Sequence, residues 1–231
     1  MKAIVMLPTY NEAENIKEIV RQILEQDEDI GIVIVDDSSP DGTGEIADRL
    51  AEENPGRTWV LHRQEKGRGT AGIAGFRHAL EKDCNCIIEM DADFSHDPEY
   101  IPRFLDKIRD YDVVIGSRLV SGGKATRTLS RKIISNTANL LTRLVLGCHI
   151  HDWVGGYKCY RREALASLDF DQFHSTGYSI GMETLYRLKK QGFTFCEIPI
   201  EFTDTRTGAS KFSAVEIVKY MWAVLRLRLG L

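Results

Sequence analysis

Short apolar runs alternate with amphipathic stretches through the first half of the chain. Runs at Ala3–Leu7, Ile32–Asp36, Trp59–His62, Cys86–Met90 and Asp112–Gly116 each end in polar or glycine-rich residues, the pattern of buried parallel strands. Between them Ile16, Ile19, Val20, Ile23 and Leu24 share one helical face, and Ile101, Phe104, Leu105 and Ile108 share another. Asn11 followed by Glu14 has the form of a capping box, predicting a first helix directly after Pro8-Thr9-Tyr10. Asp97-Pro98 marks a second helix start. This alternation predicts an α/β fold, a doubly wound, mostly parallel sheet with right-handed crossovers.

After Arg118 the rhythm changes. Ser121-Gly122-Gly123 opens a loop, and Leu129–Leu146 reads as a helix. A loop at His149–Gly156 and a strand-like piece at Tyr157–Tyr160 follow, then helices at Tyr178–Gln191 and Ala214–Leu227 flanking a strand at Phe195–Phe202. No repeat, low-complexity tract or linker interrupts the chain, so a single domain with an elaborated C-terminal third is expected over 1–231.

Composition narrows the class. With 231 residues, 43% hydrophobic and 28% charged, the chain has an ordinary globular make-up. A net charge of −4 gives no overall attraction to nucleic acid or anionic lipid, so any basic patch is local. The five cysteines (Cys84, Cys86, Cys148, Cys159, Cys196) are odd in number and lack CxxC spacing, and no signal peptide is visible. Free thiols in a reducing cytosol are expected. The six histidines lack metal-ligand spacing, and His149 and His151 are expected at the surface. No apolar run approaches the roughly 18 residues of a membrane span.

The sharpest chemistry lies past the fourth run, at Glu89-Met90-Asp91-Ala92-Asp93. Two carboxylates at the C-terminal end of a parallel strand sit where open α/β sheets bind ligands. Hard oxygens of this kind suit a divalent cation carrying substrate phosphates. An acidic turn capping the next helix is the plainer reading, but Asp97-Pro98 already serves that helix, leaving Asp91 and Asp93 without a local structural role. The first run ends in Pro8-Thr9-Tyr10-Asn11-Glu12, with an aromatic ring for a base or sugar; the second ends in Val35-Asp36-Asp37, acceptors for a base N–H or a ribose hydroxyl. Asp41-Gly42 reads as a turn. Gly67-Arg68-Gly69-Thr70-Ala71-Gly72 matches G-x-G-x-x-G, with an acid about twenty residues on, as in a dinucleotide fingerprint. The gap between strand and first glycine, and the pairing of that acid with another, argue against a nicotinamide-binding oxidoreductase. Lys66 and Arg68 suit a diphosphate equally well. Arg118, ending the fifth run, and Arg131 are expected to hold phosphate; Arg127, Lys132, Arg206 and Lys211 are the other bases nearby.

Taken in order, Pro-Thr-Tyr-Asn-Glu, Val-Asp-Asp-Ser-Ser-Pro-Asp-Gly-Thr, Lys-Gly-x-Gly-Thr-Ala, Asp-Ala-Asp-Phe-Ser-His, Gly-Ser-Arg and a late Gly-x-Ser-Lys resemble the dolichyl-phosphate (polyprenyl-phosphate) mannosyltransferases. These are inverting enzymes of glycosyltransferase family 2, with a GT-A fold. The resemblance spans nearly the whole chain. It implies a nucleotide-sugar part at 1–118, an acceptor part at 119–212 and an amphipathic last helix at 213–231. It further implies that Pro8, Tyr10, Glu12, Val35 and Asp37 meet the guanosine of GDP-mannose. Asp91, Ala92 and Asp93 would hold the diphosphate and a Mg²⁺ or Mn²⁺ ion ligated by Asp91 and Asp93. Arg118, Arg131, Arg206 and Lys211 would meet the donor and acceptor phosphates, with Asp93, Arg118 and Arg131 the catalytic set. Two departures stand out: Thr205 takes the arginine place of an Arg-x-x-Gly-x-Ser-Lys pattern, so that Arg206 comes one residue late, and Arg68 replaces a common leucine.

The implied reaction is attack of a lipid phosphate on the anomeric carbon, which needs no strong base because a phosphate monoester is largely anionic near neutral pH (second pKa about 6). Glu183 is the only base candidate in the C-terminal third, or else a solvated helix position. Val215, Val218, Met221, Trp222, Leu225 and Leu229 form an apolar stripe beside Lys219, Arg226 and Arg228, which fits an interfacial helix or core packing equally. The expected protein is peripheral at the cytoplasmic face of a membrane, with a possible small membrane partner and no nucleic acid. A UDP-glucose-using relative and a non-catalytic nucleotide-sugar-binding subunit are the other readings; intact Asp91, Asp93 and Arg118 count against the latter.

Overall fold

The computed structural model describes residues 1–175, 177, 179–204 and 214–230, with side chains in the last helix from 217 onward. The elements are β1 (Ala3–Thr9), α1 (Ile16–Leu24), β2 (Ile30–Asp36), α2 (Thr43–Glu53), β3 (Thr58–His62), α3 (Arg68–Leu80), β4 (Cys86–Glu89), α4 (Ile101–Lys107), β5 (Val113–Ser117), β6 (Lys124–Thr126), α5 (Leu129–Leu146), β7 (Lys158–Arg161), α6 (Arg162–Ala166), α7 (Ser179–Lys190), β8 (Phe195–Pro199), β9 (Glu201–Thr203) and α8 (Ala214–Leu229). Seven strands form one sheet in the order β3-β2-β1-β4-β7-β5-β8, as the α/β reading requires.

Alternation along each strand builds a core on both faces. Ile4, Met6, Val33 and Val35 face α3 and the C-terminal helices, packing with Phe76, Met182, Leu185 and Val224. Val5, Leu7, Ile32 and Ile34 face the other way, onto Ile16, Ile19 and Ile23 of α1 and Ile101 and Phe104 of α4.

The sheet departs from pure parallel winding in one strand. β7 lies antiparallel between β4 and β5, with Lys158 directly opposite Glu89. The reversal places the loop before β7 at the same edge as the C-terminal ends of β1, β2, β4 and β5, delivering Asp152, Trp153, Gly155 and Gly156 there. The strand expected at Phe195–Phe202 is two. It breaks after Pro199, which brings no N–H to a ladder, and Glu201–Thr203 leaves to pair with exposed β6, a strand whose Lys-Ala-Thr sequence gives no apolar signal.

The capping-box expectation also needs correcting. The first helix begins at Ile16, and Asn11 is exposed with φ +61°. A neighbouring loop satisfies the intervening donors: Glu12 N–H donates to Thr43 Oγ1 (2.9 Å) and Ala13 N–H to Asp41 Oδ2 (3.0 Å). Tertiary partners have replaced the local cap. Asp97 does cap its turn, accepting from Glu99 N–H at 2.9 Å. All five cysteines are free, and His149 and His151 are exposed, as expected.

Candidate active site

Three residues other than glycine adopt left-handed backbone among the described residues: Asn11, Ser38 and Phe94. Each follows a strand end on the same sheet edge, after β1, β2 and β4. Such conformations cost about 1–2 kcal/mol per residue, so their gathering at one edge marks where the fold holds strain.

Past β4, Asp93 is 7% exposed and accepts from Ser95 N–H at 3.1 Å, closing the turn around Phe94. The expectation that these acids lack a structural role is therefore wrong for Asp93. Asp91 takes Arg68 Nη1 on Oδ1 at 2.5 Å, and its N–H donates to His96 Nδ1 at 2.9 Å. His96 is buried against the Tyr157 ring at 5.0 Å. Burial holds its pKa at about 4, against the opposing charges of Asp91 and Asp93. The ring is thus neutral and accepts through Nδ1, fixing the backbone of Asp91.

The nucleoside-side residues meet at the ends of β1 and β2. Tyr10 is half-exposed, with Lys66 Nζ 4.6 Å from its ring centroid and donating to its hydroxyl at 2.9 Å. Asp37 is held by Arg63 Nη1 (2.5 Å) and Gly67 N–H (2.9 Å), tying the β2 loop to the start of α3. Glu12 accepts from Asn15 Nδ2 at 2.8 Å. The Val35 side chain is fully buried in the core, so only its backbone is available to a ligand. Pro8 lies partly buried at the same edge, and Ala92 is buried between the paired acids.

The basic residues lie on the far side of the acids. Arg118 forms a fork on fully buried Asp152, through Nε at 2.7 Å and Nη2 at 2.6 Å, while its N–H donates to the same carboxylate at 3.0 Å. Burial would raise the Asp152 carboxyl, but Arg118 overcomes it and holds the pKa below 3.8. Arg131 pairs with Asp204. Arg127 stacks over Phe202 at 4.5 Å, and its Nε is buried without a hydrogen-bond partner among the described residues. Burial, with Arg118 nearby, lowers its pKa to about 10. A guanidinium so placed favours an anion.

Residues 4–169 match the model of Glycosyl transferase family 2. The chain belongs to that family. It is 40% identical over 244 residues to an undecaprenyl-phosphate mannosyltransferase of Micrococcus luteus, with both chains covered in full. It is 42% identical over 226 residues to a polyprenol monophosphomannose synthase of Mycolicibacterium smegmatis, covering 96% of this chain and 85% of that one. Its fold is similar to crystal structures of glucosyl-3-phosphoglycerate synthase from Mycobacterium tuberculosis. One holds UDP (TM-score 0.74, 16% identity, 98% of this chain and 80% of that one). Another holds Mn²⁺, UDP and phosphoglyceric acid (TM-score 0.74, 16% identity, 98% and 78%).

In this glycosyltransferase the fold brings Tyr10, Asp37, Asp91, Asp93 and Arg118 to one edge. Arg206 and Lys211 lie outside the described residues. Glu183 is not a solvated helix position: it is fully buried, bonded to Arg187 and to the N–H groups of His174 and Ser175, and those bonds outweigh burial to lower its pKa. Within the glycine motif, packing accounts for Gly69 and spacing sets Gly67 apart from a dinucleotide turn. A Cβ at Gly69 would lie 2.4 Å from Ile180 Cδ1, and Gly67 stands well past the end of β3. Sequence reasoning missed His96, Asp152 and the Arg68–Asp91 pair; the only local signal was the histidine closing Asp-Ala-Asp-Phe-Ser-His.

Proposed function

We propose that the chain transfers mannose from GDP-mannose to a polyprenyl or dolichyl phosphate, with inversion at the anomeric carbon. The observation that carries this reading is two groups at one sheet edge, the acids Asp91 and Asp93, suited to a cation, and the arginines Arg118, Arg127 and Arg131, suited to anions. The mannosyl-transferring relatives support it. Two hard carboxylates on a rigid turn fit Mg²⁺ or Mn²⁺, which use one or two carboxylates plus substrate phosphates. When bound, such an ion supplies charge neutralisation for the departing diphosphate. Among the described residues no cluster of three metal-binding side chains exists, so substrate oxygens and water would complete the shell.

The acceptor oxygen forms the new bond to the anomeric carbon, the bond to the diphosphate breaks, and its electron pair leaves with GDP. No proton has to move. The protein's part is to hold two repelling phosphates together, and the arginines do this from the acceptor side. Thermal-shift measurements with GDP-mannose, UDP-glucose and NAD, each with and without Mn²⁺, test the reading. At a hundredfold excess over Kd, GDP-mannose with Mn²⁺ should add about 2.7 kcal/mol, or roughly 5–10 °C in Tm. Stabilisation by NAD independent of metal would overturn it.

The acceptor's lipid calls for a membrane-facing surface, and no helix among the described residues is long and apolar enough to cross a bilayer. α8 packs on the core along one face and leaves an apolar stripe on the other. Tyr220 and Val224 are buried, with the Tyr220 hydroxyl 3.0 Å from Thr142 of α5, while Val218, Trp222, Leu225 and Leu229 stay exposed. Helix α5 adds its own exposed stripe, Leu129, Ile133, Leu140 and Leu144. It carries Arg131, Lys132 and Arg143 with no acid, in a chain of net charge −4. Paired apolar stripes within a locally basic surface fit an anionic bilayer. Leu144→Glu with Trp222→Glu should cut flotation on phosphatidylglycerol vesicles at least about tenfold, since each buried side chain contributes about 1.5–3 kcal/mol. Unchanged flotation would show that this face points elsewhere.

A further inference from the structure

Beside the paired acids the fold keeps open a small, partly open pocket of about 30 Å³, walled by Arg68, Gly72, Glu89, Trp153, Gly156 and Lys158. One water needs about 10–15 Å³, so the space admits two or three water-sized groups and not a hexose ring. Gly156 fixes its position relative to the site. A Cβ there would lie 2.8 Å from Arg68 Nη2 and 3.7 Å from Asp91 Oδ2.

Gly72 shows that the space is held open rather than left over. It is buried in the interior of α3, where glycine is less favourable than alanine. At Gly69 and Gly75 of the same helix a Cβ would clash, 2.4 Å from Ile180 Cδ1 and 2.6 Å from Met6 Cγ, so packing requires glycine. At Gly72 a Cβ would meet nothing within 4 Å. No neighbour demands this glycine; what a side chain there would take is the cavity itself.

The walls specify the chemistry of an occupant. Among the described residues Glu89 Oε2 and Trp153 Nε1 are buried without a hydrogen bond of good geometry, and the buried Tyr160 hydroxyl is the protein donor that neighbours the Glu89 carboxylate. Lys158 Nζ donates to Gly155 O and stands 3.9 Å from Glu89 Oε2, beyond hydrogen-bond reach. An unmet buried polar group is costly. An occupant must accept from the indole N–H and the ammonium and donate to the carboxylate. A phosphate anion is repelled by Glu89. A hydroxyl does both.

We infer that this cavity receives one exocyclic hydroxyl or hydroxymethyl group of the donor's sugar, held between Glu89, Lys158 and the Trp153 indole, and that it selects among hexoses. This rests on the proposed placement of the donor diphosphate at Asp91 and Asp93, which sets the sugar next to the cavity mouth.

Calorimetric titration of the full chain with Mn²⁺ tests it, comparing GDP with GDP-mannose and UDP with UDP-glucose. The wild type should bind one sugar nucleotide more tightly than its parent diphosphate. Gly72→Val, which fills the cavity, should remove that increment, weakening the sugar nucleotide about tenfold and the diphosphate less than about twofold. Gly72→Ala should do the same to a smaller degree while raising Tm, which separates cavity filling from damage to the fold. Loss of the increment in either nucleotide series supports the assignment. A Gly72→Val protein that keeps the full increment overturns it and leaves the cavity to water alone. Wild type that binds none of the four compounds overturns both this assignment and the donor reading beneath it.

Discussion

Asp93→Asn is expected to lower transfer by about two to three orders of magnitude while leaving Tm essentially unchanged. Asparagine keeps an oxygen where Asp93 Oδ1 accepts from Ser95 N–H, so the left-handed turn at Phe94 is preserved. The charge that would face a cation and the departing diphosphate is lost. Asp91→Asn is a different experiment. It also weakens the partner of Arg68, and that ion pair is largely shielded from solvent. It should therefore change stability as well as rate. Single-turnover transfer to a short-chain polyprenyl phosphate at saturating Mn²⁺, read beside circular-dichroism melting, separates the two effects. Undiminished turnover in Asp93→Asn would refute the metal–diphosphate role and with it the proposed reaction.

The parts of the fold legible in the sequence are those in which neighbouring residues report on each other. Ile4 and Met6 alternate with Val5 and Leu7 because β1 is covered on both faces, and that pattern is local. The Asp91–Asp93 pair was legible for the same reason: a buried strand and its polar end are contiguous. What stayed hidden depends on contacts far apart in the chain. Nothing near Lys158 signals that β7 runs antiparallel or that its partner is Glu89. Nothing near Arg118 names Asp152, so the buried carboxylate on which its guanidinium forks was not foreseen. The start of α1 was misread because Asp41 and Thr43, from the loop and helix beyond β2, satisfy donors that a capping box would otherwise satisfy locally. Gly69 and Gly72 look alike in the motif. Only the structure shows that one is forced by packing and the other faces open space.

Asp152→Ala is the substitution with the largest expected effect on stability. Its carboxylate is fully buried and binds the Arg118 guanidinium and the N–H groups of Arg118 and Gly155. Removing it leaves a buried cation unpaired, a loss of about 3–5 kcal/mol, or roughly 6–20 °C in Tm for a chain of this length. The pH dependence has a defined sign. The folded carboxyl titrates below its ordinary 3.8, so its contribution is complete above that value and is lost as pH falls through the depressed folded pKa. The Tm gap between wild type and Asp152→Ala should accordingly close in acid; a gap that persists at low pH would place the stabilisation in packing rather than charge. Arg118→Met combined with Asp152→Leu removes both charges together and should recover part of the lost stability, the remainder reflecting the orphaned N–H groups. That double variant also decides what Arg118 does in the reaction. If it folds but has lost about a hundredfold or more in kcat, the guanidinium acts on substrate phosphate as well as on Asp152. If it folds and turns over normally, the role of Arg118 ends at the carboxylate, and Arg127 and Arg131 are left to hold the acceptor.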